Sequence, residues 1–182
     1  MAIIKVQSEG INLADNFTFS GTVAGAGGGK IGQVLQTTIS TTQATGAVNS
    51  WVDVTGLSQT ITPVATSSKI LVLFHVNISA TTNDHAGIRL TRGSTPIYTG
   101  GDATAGRNAF SSMRFMNDDQ YHVVVMAGQY LDSPNTTSAT TYKIQANSNN
   151  TFYINRSFTT GGATTIQRPT TISGITVMEV LA

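Results

Sequence analysis

One stretch of the chain, residues 69–79, alternates so regularly that it constrains the fold more than any other part of the sequence. In an extended conformation, one face of this stretch carries only apolar side chains, namely Ile70, Val72, Phe74, Val76 and Ile78. The opposite face begins with Leu71 and Leu73 and becomes polar at His75 and Asn77. Because successive side chains of a β-strand point to opposite faces, this period of two predicts a strand with one buried face.

The composition favours strands along the rest of the chain as well. Ile, Val and Thr total 58 of the 182 residues, whereas Glu, Lys and Leu, which are common on helices, total 14. β-Branched side chains are stiff at χ1 and pack well on a pleated surface. Charged residues make up only 10 % of the chain, against about 25 % in a typical soluble domain. We therefore expect an all-β protein rather than a helical bundle, a coiled coil or a doubly wound α/β enzyme.

Turn-rich clusters separate about ten short segments that alternate or are rich in β-branched residues. These candidate strands are residues 31–39, 51–55, 59–62, 69–79, 87–92, 110–116, 120–131, 140–146, 151–155 and 172–181. Many short strands without a convincing helix are typical of two packed antiparallel sheets. The sequence therefore predicts an antiparallel β-sandwich or jelly roll over residues 31–182.

Residues 1–30 differ from this pattern and predict an extended N-terminal arm. They carry isolated apolar side chains and end in the glycine-rich sequence AGAGGG at residues 24–29, which is typical of a linker. A segment this short cannot close a core, so it either adds strands to the main domain or docks on a neighbouring subunit. The candidate docking residues are Ile11, Leu13, Phe17 and Phe19. Thirty extended residues could reach about 100 Å.

The totals disfavour several classes of function. The net charge is +1 and there is no basic stripe, so we expect no binding to nucleic acid. The longest apolar run, residues 70–74, is far shorter than the roughly 20 residues that span a bilayer, so we expect no membrane partner. The N-terminal sequence lacks the pattern of a signal peptide, which favours synthesis and assembly in a cytoplasm. The absence of cysteine removes disulfides, thiolate catalysis and cysteine-based zinc sites.

No motif indicates catalysis or a cofactor. The glycine-rich stretch before Lys30 has Ala24 and Ile31 where a phosphate-binding loop requires Gly and Ser or Thr. There is no G-x-S-x-G motif, and the two glutamates, Glu9 and Glu179, suggest no carboxylate pair for glycoside hydrolysis. We therefore expect a protein that is not an enzyme and needs no cofactor.

The evidence for a metal site is equally weak. Asn83-Asp84-His85 is a polar loop that could bind a metal, but it shows no ligand spacing beyond adjacency. Asn117-Asp118-Asp119 lacks the register of a calcium-binding loop, so a hairpin turn is the favoured interpretation. His75 and His122 lie within predicted strands, where a packed or hydrogen-bonded histidine is expected. We assign no metal ligands.

Polar and aromatic side chains near turns are candidates for contact with a receptor. Tyr98 flanks a turn, and Tyr153 faces away from its apolar neighbours, so either ring could stack on a sugar. Trp51 could do the same, although the start of the Trp-Val-Asp-Val strand favours a role as a core anchor. With the polar loop included, the candidate receptor-facing residues are Asp84, His85, Tyr98 and Tyr153.

Two predicted strands are apolar on both faces, at residues 70–74 and 123–126. In a small antiparallel sandwich one face of a sheet usually meets solvent and is polar. Apolar side chains on the second face therefore suggest that another subunit covers it, and they favour a homo-oligomer.

Several short segments of the sequence resemble those of a known protein family. They are KIGQVLQTT from residue 30, WVDVTGLS from 51, TITP from 60, SSKILV from 67, LDSP from 131, TTYKIQ from 140, YINRS from 153 and ITVMEV from 175. This succession resembles a domain common in virion proteins of marine and freshwater bacteriophages, especially cyanophages, which are often labelled tail-fibre-like. The arm sequence SEGINLADNFTFSGTV, from residue 8, resembles the N-terminal segment of related phage structural proteins.

The resemblance implies a structural protein on the exterior of a phage virion, assembled in the host cytoplasm as a trimer of jelly-roll-like domains. It leaves the position on the particle open. Tail fibres usually need a shaft, and this chain shows neither a coiled coil nor a long repetitive β region. A compact domain with an arm favours a capsid decoration, or cement, protein whose partners are its own copies and the major capsid protein. The alternative is a tail-fibre or adhesin protein that joins a tail component and binds a glycan on the host surface.

Overall fold

The computed structural model describes residues 30–45, 49–81, 83–101, 108–116, 121–159, 166 and 168–181. Residues 1–29 of the predicted arm, including Ile11, Leu13, Phe17 and Phe19, lie outside the described residues, as does the Asn117-Asp118-Asp119 turn. Eleven strands are present in the described ranges. They are β1 (Ile31–Ile39), β2 (Gln43–Thr45), β3 (Val52–Ile61), β4 (Lys69–Ala80), β5 (Asp84–Arg92), β6 (Thr95–Tyr98), β7 (Ser112–Met116), β8 (Val124–Asp132), β9 (Thr140–Ser148), β10 (Phe152–Ile154) and β11 (Ser173–Val180).

The strands form two antiparallel sheets, and their order is that of a jelly roll. In the first sheet, sheet A, β11 and β8 pair along opposite sides of β4, and β1 pairs with β11. In the second sheet, sheet B, β9 and β7 pair along opposite sides of β5, and β3 pairs with β9. The long strands thus read β1-β11-β4-β8 and β3-β9-β5-β7. The short strands β10 and β2 bring sheet A to six strands, and β6 brings sheet B to five. Two antiparallel sheets whose four main strands follow this order form a double-sheet jelly roll, so the predicted fold class is confirmed.

The core lies between the two sheets and follows from the alternation in the sequence. Ile70, Val72, Val76 and Ile78 of β4 have no exposed surface, and Phe74 keeps only 4 %. Opposite them on sheet B, Ile88, Leu90 and Ile144 are fully buried. Each side chain of this size stabilises the fold by about 1.5–3 kcal/mol on burial. The predicted buried face of residues 69–79 is therefore the centre of sheet A.

The sequence pattern located most strands but misjudged three. Residues 51–55 and 59–62 form one strand, β3, whose pairing with β9 shifts between Asp53 and Ser58. Gly56 lies in this irregular stretch with φ at +78°, a conformation that favours glycine. The short strands β2 and β6 were missed because three or four residues show no period, and β6 contains Pro96, which is tolerated on an edge strand.

Two polar groups fix the ends of the sandwich. At the upper end, where β4 ends, Asn155 is fully buried with φ at +61° and fills the gap between β10 and β11. Its side-chain Nδ2 donates to the Ile39 carbonyl at 2.8 Å, and its Oδ1 accepts from Ser173 Oγ at 2.7 Å.

At the lower end, Arg92 Nη1 contacts both carboxylate oxygens of buried Asp132, which also accepts from Tyr142 Oη at 2.6 Å. Arg92 and Tyr142 belong to sheet B and Asp132 to sheet A, so this contact ties the two sheets together.

Candidate functional site

The outer face of sheet A carries a continuous row of apolar side chains. The strand register places Val34 of β1 opposite Met178 of β11, Met178 opposite Leu71 of β4, and Leu71 opposite Leu131 of β8. Partners in register lie on the same face, and this face is the one opposite the core. Val34 is 57 % exposed and Leu131 46 %, while Leu71 and Met178 are half-buried. These four residues, called the apolar row, span four strands.

A shallow depression adjoins the apolar row. It has a volume of about 460 Å³ and is lined by Leu73, His75, Ala127, Gly128, Gly174 and their neighbours. His75 is exposed and lies against Gly174, where an added Cβ would be 2.9 Å from the His75 ring. This face therefore combines exposed apolar side chains with a concave surface, as protein-binding patches do. The second, apolar face predicted for residues 70–74 is thus on the molecular surface.

The outer face of sheet B differs from that of sheet A, because its polar and aromatic side chains form hydrogen bonds and ring contacts with one another. Asp53 accepts hydrogen bonds from Lys143 Nζ and Gln145 Nε2, both at 2.6 Å. Burial by itself would raise the pKa of Asp53, but these two hydrogen bonds, together with the positive charges of Lys143 and Arg89, outweigh it and hold the pKa below its ordinary value. Arg89 Nε donates to Gln145 Oε1, and its guanidinium lies 4.1 Å from the centre of the Trp51 ring.

Trp51 does not anchor the core as the sequence suggested. It is half-buried on the outer face of sheet B, next to Phe110 at 4.9 Å between ring centroids. The interpretation was wrong because Trp51 is two residues before Asp53, which faces outward, and residues two apart in a strand lie on the same face. Phe110 in turn covers Gly87, where an added Cβ would clash with the phenylalanine ring.

A cleft lined by asparagines lies at the upper end of sheet B. Its volume is about 520 Å³, and its lining includes Asn49, His85, Asn108, Phe110, Asn147 and Asn149. The side-chain amides of these four asparagines make no hydrogen bond to another described residue. The residues of this asparagine cleft belong to separate segments that meet because Ala86 of β5 pairs with Ser148 of β9.

A second cleft contains two arginines and lies between β2 and the segment that follows β10. It has a volume of about 410 Å³, and its polar lining includes Thr42, Arg156, Ser157, Thr159, Arg168 and Thr170. Neither arginine forms an ion pair with a described acidic residue, in contrast to Arg92 with Asp132 and Lys143 with Asp53. The backbone bridge between Arg156 and Thr170 brings these two segments together. This arginine cleft had no signal in the sequence, because Arg156 and Arg168 stand twelve residues apart without a motif.

The four candidate receptor-facing residues are spread over three strands: Asp84 and His85 are adjacent at the start of β5, Tyr98 ends β6 and Tyr153 lies in β10. Asp84 was expected in a loop, but it is the first residue of β5 and only 2 % exposed. Its carboxylate accepts from Ser148 Oγ and from the His85 backbone N–H, so its placement in an exposed loop was wrong. His85 is exposed and lines the asparagine cleft.

The two tyrosines of this set are half-buried. Tyr98 stacks on Tyr130 at 5.4 Å and packs against the core. Tyr153 lies beneath the Arg156 guanidinium, 4.2 Å from it, at the side of the arginine cleft. The remaining histidines, His75 and His122, are exposed.

The described residues contain no group of three or more His, Asp or Glu side chains that could hold a metal ion. In the same ranges, no helix has the length and apolarity needed to cross a membrane. No protein-family model matches the chain, and no curated protein matches it. Among solved structures, the chain is similar to the tripod (BppUct-A-L) from the baseplate of bacteriophage Tuc2009, with 18 % identity and a TM-score of 0.22 over 96 % of this chain and 83 % of that chain. A TM-score this low establishes no shared fold.

Proposed function

We propose that the chain is a structural protein of a bacteriophage virion that acts by assembly rather than by catalysis. The observation that carries this proposal is the apolar row across four strands of sheet A. Exposed apolar side chains that form a continuous patch mark protein-binding surfaces. The resemblance of the sequence phrases to phage virion proteins supports the proposal independently of the structure.

The apolar row is the contact between copies of the chain, which assemble as a homotrimer. Val34 and Leu131 lie on the first and last strands of the sheet, so a neighbour that covers the row contacts the full width of sheet A. Burying apolar surface contributes about 25 cal/mol per Å². Few charged side chains on the chain oppose such burial, since only 10 % of its residues are charged.

A charge placed in the apolar row tests this assembly. Leu131→Lys is expected to convert the trimer to monomers, because burying an unpaired ammonium group is strongly unfavourable. Phe115→Lys is the matched control, since Phe115 is equally exposed, at 46 %, but lies on the outer strand of sheet B. Molar mass by light scattering gives the oligomeric state of each variant. A trimer that survives Leu131→Lys, or that is lost equally in Phe115→Lys, would rule out the apolar row as the contact.

Of the positions on the particle, we favour capsid decoration. A compact jelly roll supplies a domain that can sit on the outside of a shell, and the arm with Ile11, Leu13, Phe17 and Phe19 supplies apolar side chains that dock on the major capsid protein. Main-chain pairing of an arm with a neighbouring sheet edge would provide affinity without charge.

Deletion of residues 1–29 tests the docking arm. We expect the truncated chain to remain a folded, soluble trimer, because the core of the sandwich is built from residues between Ile39 and Val177. It should fail to bind particles that lack the protein, whereas the full chain should bind them at high copy number. Full occupancy by the truncated chain in a sedimentation assay would contradict the docking role of the arm.

A tail-fibre or adhesin role is the second candidate, and the arginine cleft favours it. Two guanidinium groups that have no acidic partner among the described residues are suited to an anionic ligand on a host surface. On this alternative, the purified protein blocks adsorption of the phage to its host, and it is present in few copies per particle. A protein that decorates capsids and does not compete for adsorption would exclude it.

A further inference from the structure

We propose that the arginine cleft binds an acidic sugar, a monosaccharide unit that bears a carboxylate. This inference does not rest on the position of the protein in a virion, because it concerns the chemistry of one cleft. Its volume of about 410 Å³ lies within the roughly 300–1,000 Å³ that is usual for small-ligand sites. The cleft is therefore large enough to hold a single sugar ring, one side of which stays open to solvent.

The charge of the cleft indicates an anion. Arg156 and Arg168 line it together, and none of the described lining residues is acidic. Among the described arginines, Arg92 pairs with Asp132 and Arg89 donates to Gln145, whereas no described residue accepts a hydrogen bond from the guanidinium of Arg156 or Arg168. Arg156 and Arg168 thus retain guanidinium donors that suit a carboxylate, which a planar guanidinium binds through two parallel hydrogen bonds.

Arg156 is held in place before any ligand binds. Its guanidinium lies 4.2 Å from the centre of the Tyr153 ring, and Phe158 packs against the same ring at 5.6 Å. The backbone of Arg156 is fixed as well. Its carbonyl accepts a hydrogen bond from Ser79 Oγ at 2.8 Å, and its backbone forms an antiparallel β-bridge with Thr170. An ordered side chain loses less conformational entropy on binding, so its interaction with a ligand is stronger.

The rest of the lining suits a sugar better than a bare inorganic anion. Thr42 and Thr170 are exposed at the cleft and carry hydroxyl groups that can both donate and accept. Ala44 and Pro169 supply a small apolar surface for the C–H face of a ring. An extended nucleic acid is disfavoured as the ligand, because two arginines in a chain of net charge +1 offer no track for a phosphate backbone.

Titration of the purified full chain with D-glucuronate and D-glucose tests the proposal, since the two sugars differ only in the carboxylate at C6. D-Galacturonate and D-galactose form a second pair with a different hydroxyl arrangement. In at least one pair, calorimetry or NMR should show millimolar binding of the acidic sugar that is stronger than that of the neutral sugar by about tenfold or more, the effect of one charged hydrogen bond.

Arg156→Gln and Arg168→Gln should each weaken binding of the acidic sugar by about tenfold. Arg114→Gln is the control with the same change in net charge, because Arg114 is exposed on β7 of sheet B, away from the cleft. Thermal unfolding confirms that the variants are folded. Equal affinity for acidic and neutral sugars, the same loss in Arg114→Gln, or no binding of either acidic sugar would overturn the proposal. Binding of acetate or phosphate as tight as that of the acidic sugar would overturn its sugar component.

Discussion

At the scale of single residues, buried polar side chains in this protein hold the ends of strands in positions that apolar packing alone does not determine. Asn155 is the clearest case, since β10 ends before it and β11 begins with Ser173 beyond a long connection. Its amide contacts Ile39, Thr41 and Ser173 across the end of sheet A. Asparagine suits the site because it tolerates positive φ and offers both a donor and an acceptor.

Replacing Asn155 by Ala should therefore destabilise the fold by about 2–4 kcal/mol, because the buried Ile39 carbonyl loses a donor and the Ser173 hydroxyl loses its acceptor. Asn135→Ala is a control for the backbone, because Asn135 also has positive φ, at 52°, but is exposed. Urea denaturation measures the free energy of unfolding of both variants. Equal losses would show that the backbone conformation, rather than the hydrogen bonds, accounts for the effect.

At the scale of secondary-structure elements, β4 determines how closely its neighbours can approach. Gly128 of β8 lies opposite Phe74, and Gly174 of β11 lies opposite His75. A Cβ at Gly128 would be 2.5 Å from Phe74 Cζ inside the core, whereas a Cβ at Gly174 would be 2.9 Å from His75 Cε1 on the exposed face. The Phe74 ring is held in place by the core, whereas the His75 ring can rotate into solvent.

Gly128→Ala should consequently cost about 1–3 kcal/mol of stability through overpacking, while Gly174→Ala should stay within about 0.5 kcal/mol of the parent protein. Both changes add one methyl group to a strand that flanks β4, so they are a matched pair. Thermal unfolding distinguishes them. A larger loss in the Gly174 variant would mean that the His75 ring is held as firmly as the core.

The sequence predicted these elements unevenly, for a physical reason. In long strands such as β4 and β11, inward-facing and outward-facing side chains alternate over many consecutive residues. Their positions were therefore predicted to within one or two residues. β2 is too short to show a period, and β3 was divided because the turn-like residues around Gly56 interrupt its pattern. The loop placement of Asp84 was wrong because its burial depends on Ser148, which is 64 residues away.

At the scale of the whole molecule, the lower end of the sandwich contains a buried carboxylate that links stability to pH. Glu179 has no exposed surface and accepts hydrogen bonds from the Val64 N–H and from Gln33 Nε2, both at 2.7 Å. Burial opposes ionisation, but these hydrogen bonds outweigh it and lower the pKa of Glu179 below its ordinary value. Folding therefore favours the deprotonated carboxylate.

The stabilisation from Glu179 should be complete above the unfolded-state pKa of about 4.3, and it should be lost as the pH falls through the lower pKa of the folded state. Glu179→Gln should accordingly be less stable than the parent chain at pH 7, and the difference should shrink on acidification. Denaturation at pH 7 and at about pH 3 measures this difference. A gap that does not change with pH would show that the ionised form of Glu179 is not the stabilising one.

The sequence by itself determined the all-β class, the positions of most strands and the apolar face of β4, because alternation and side-chain branching act between neighbouring residues. Only the tertiary structure decided which outer face is apolar and where the clefts lie. Val34, Leu71, Leu131 and Met178 form one row, and Arg156 and Arg168 share one cleft, through strand pairing between distant segments. That pairing is set by the burial of a common core, which no local stretch of sequence encodes.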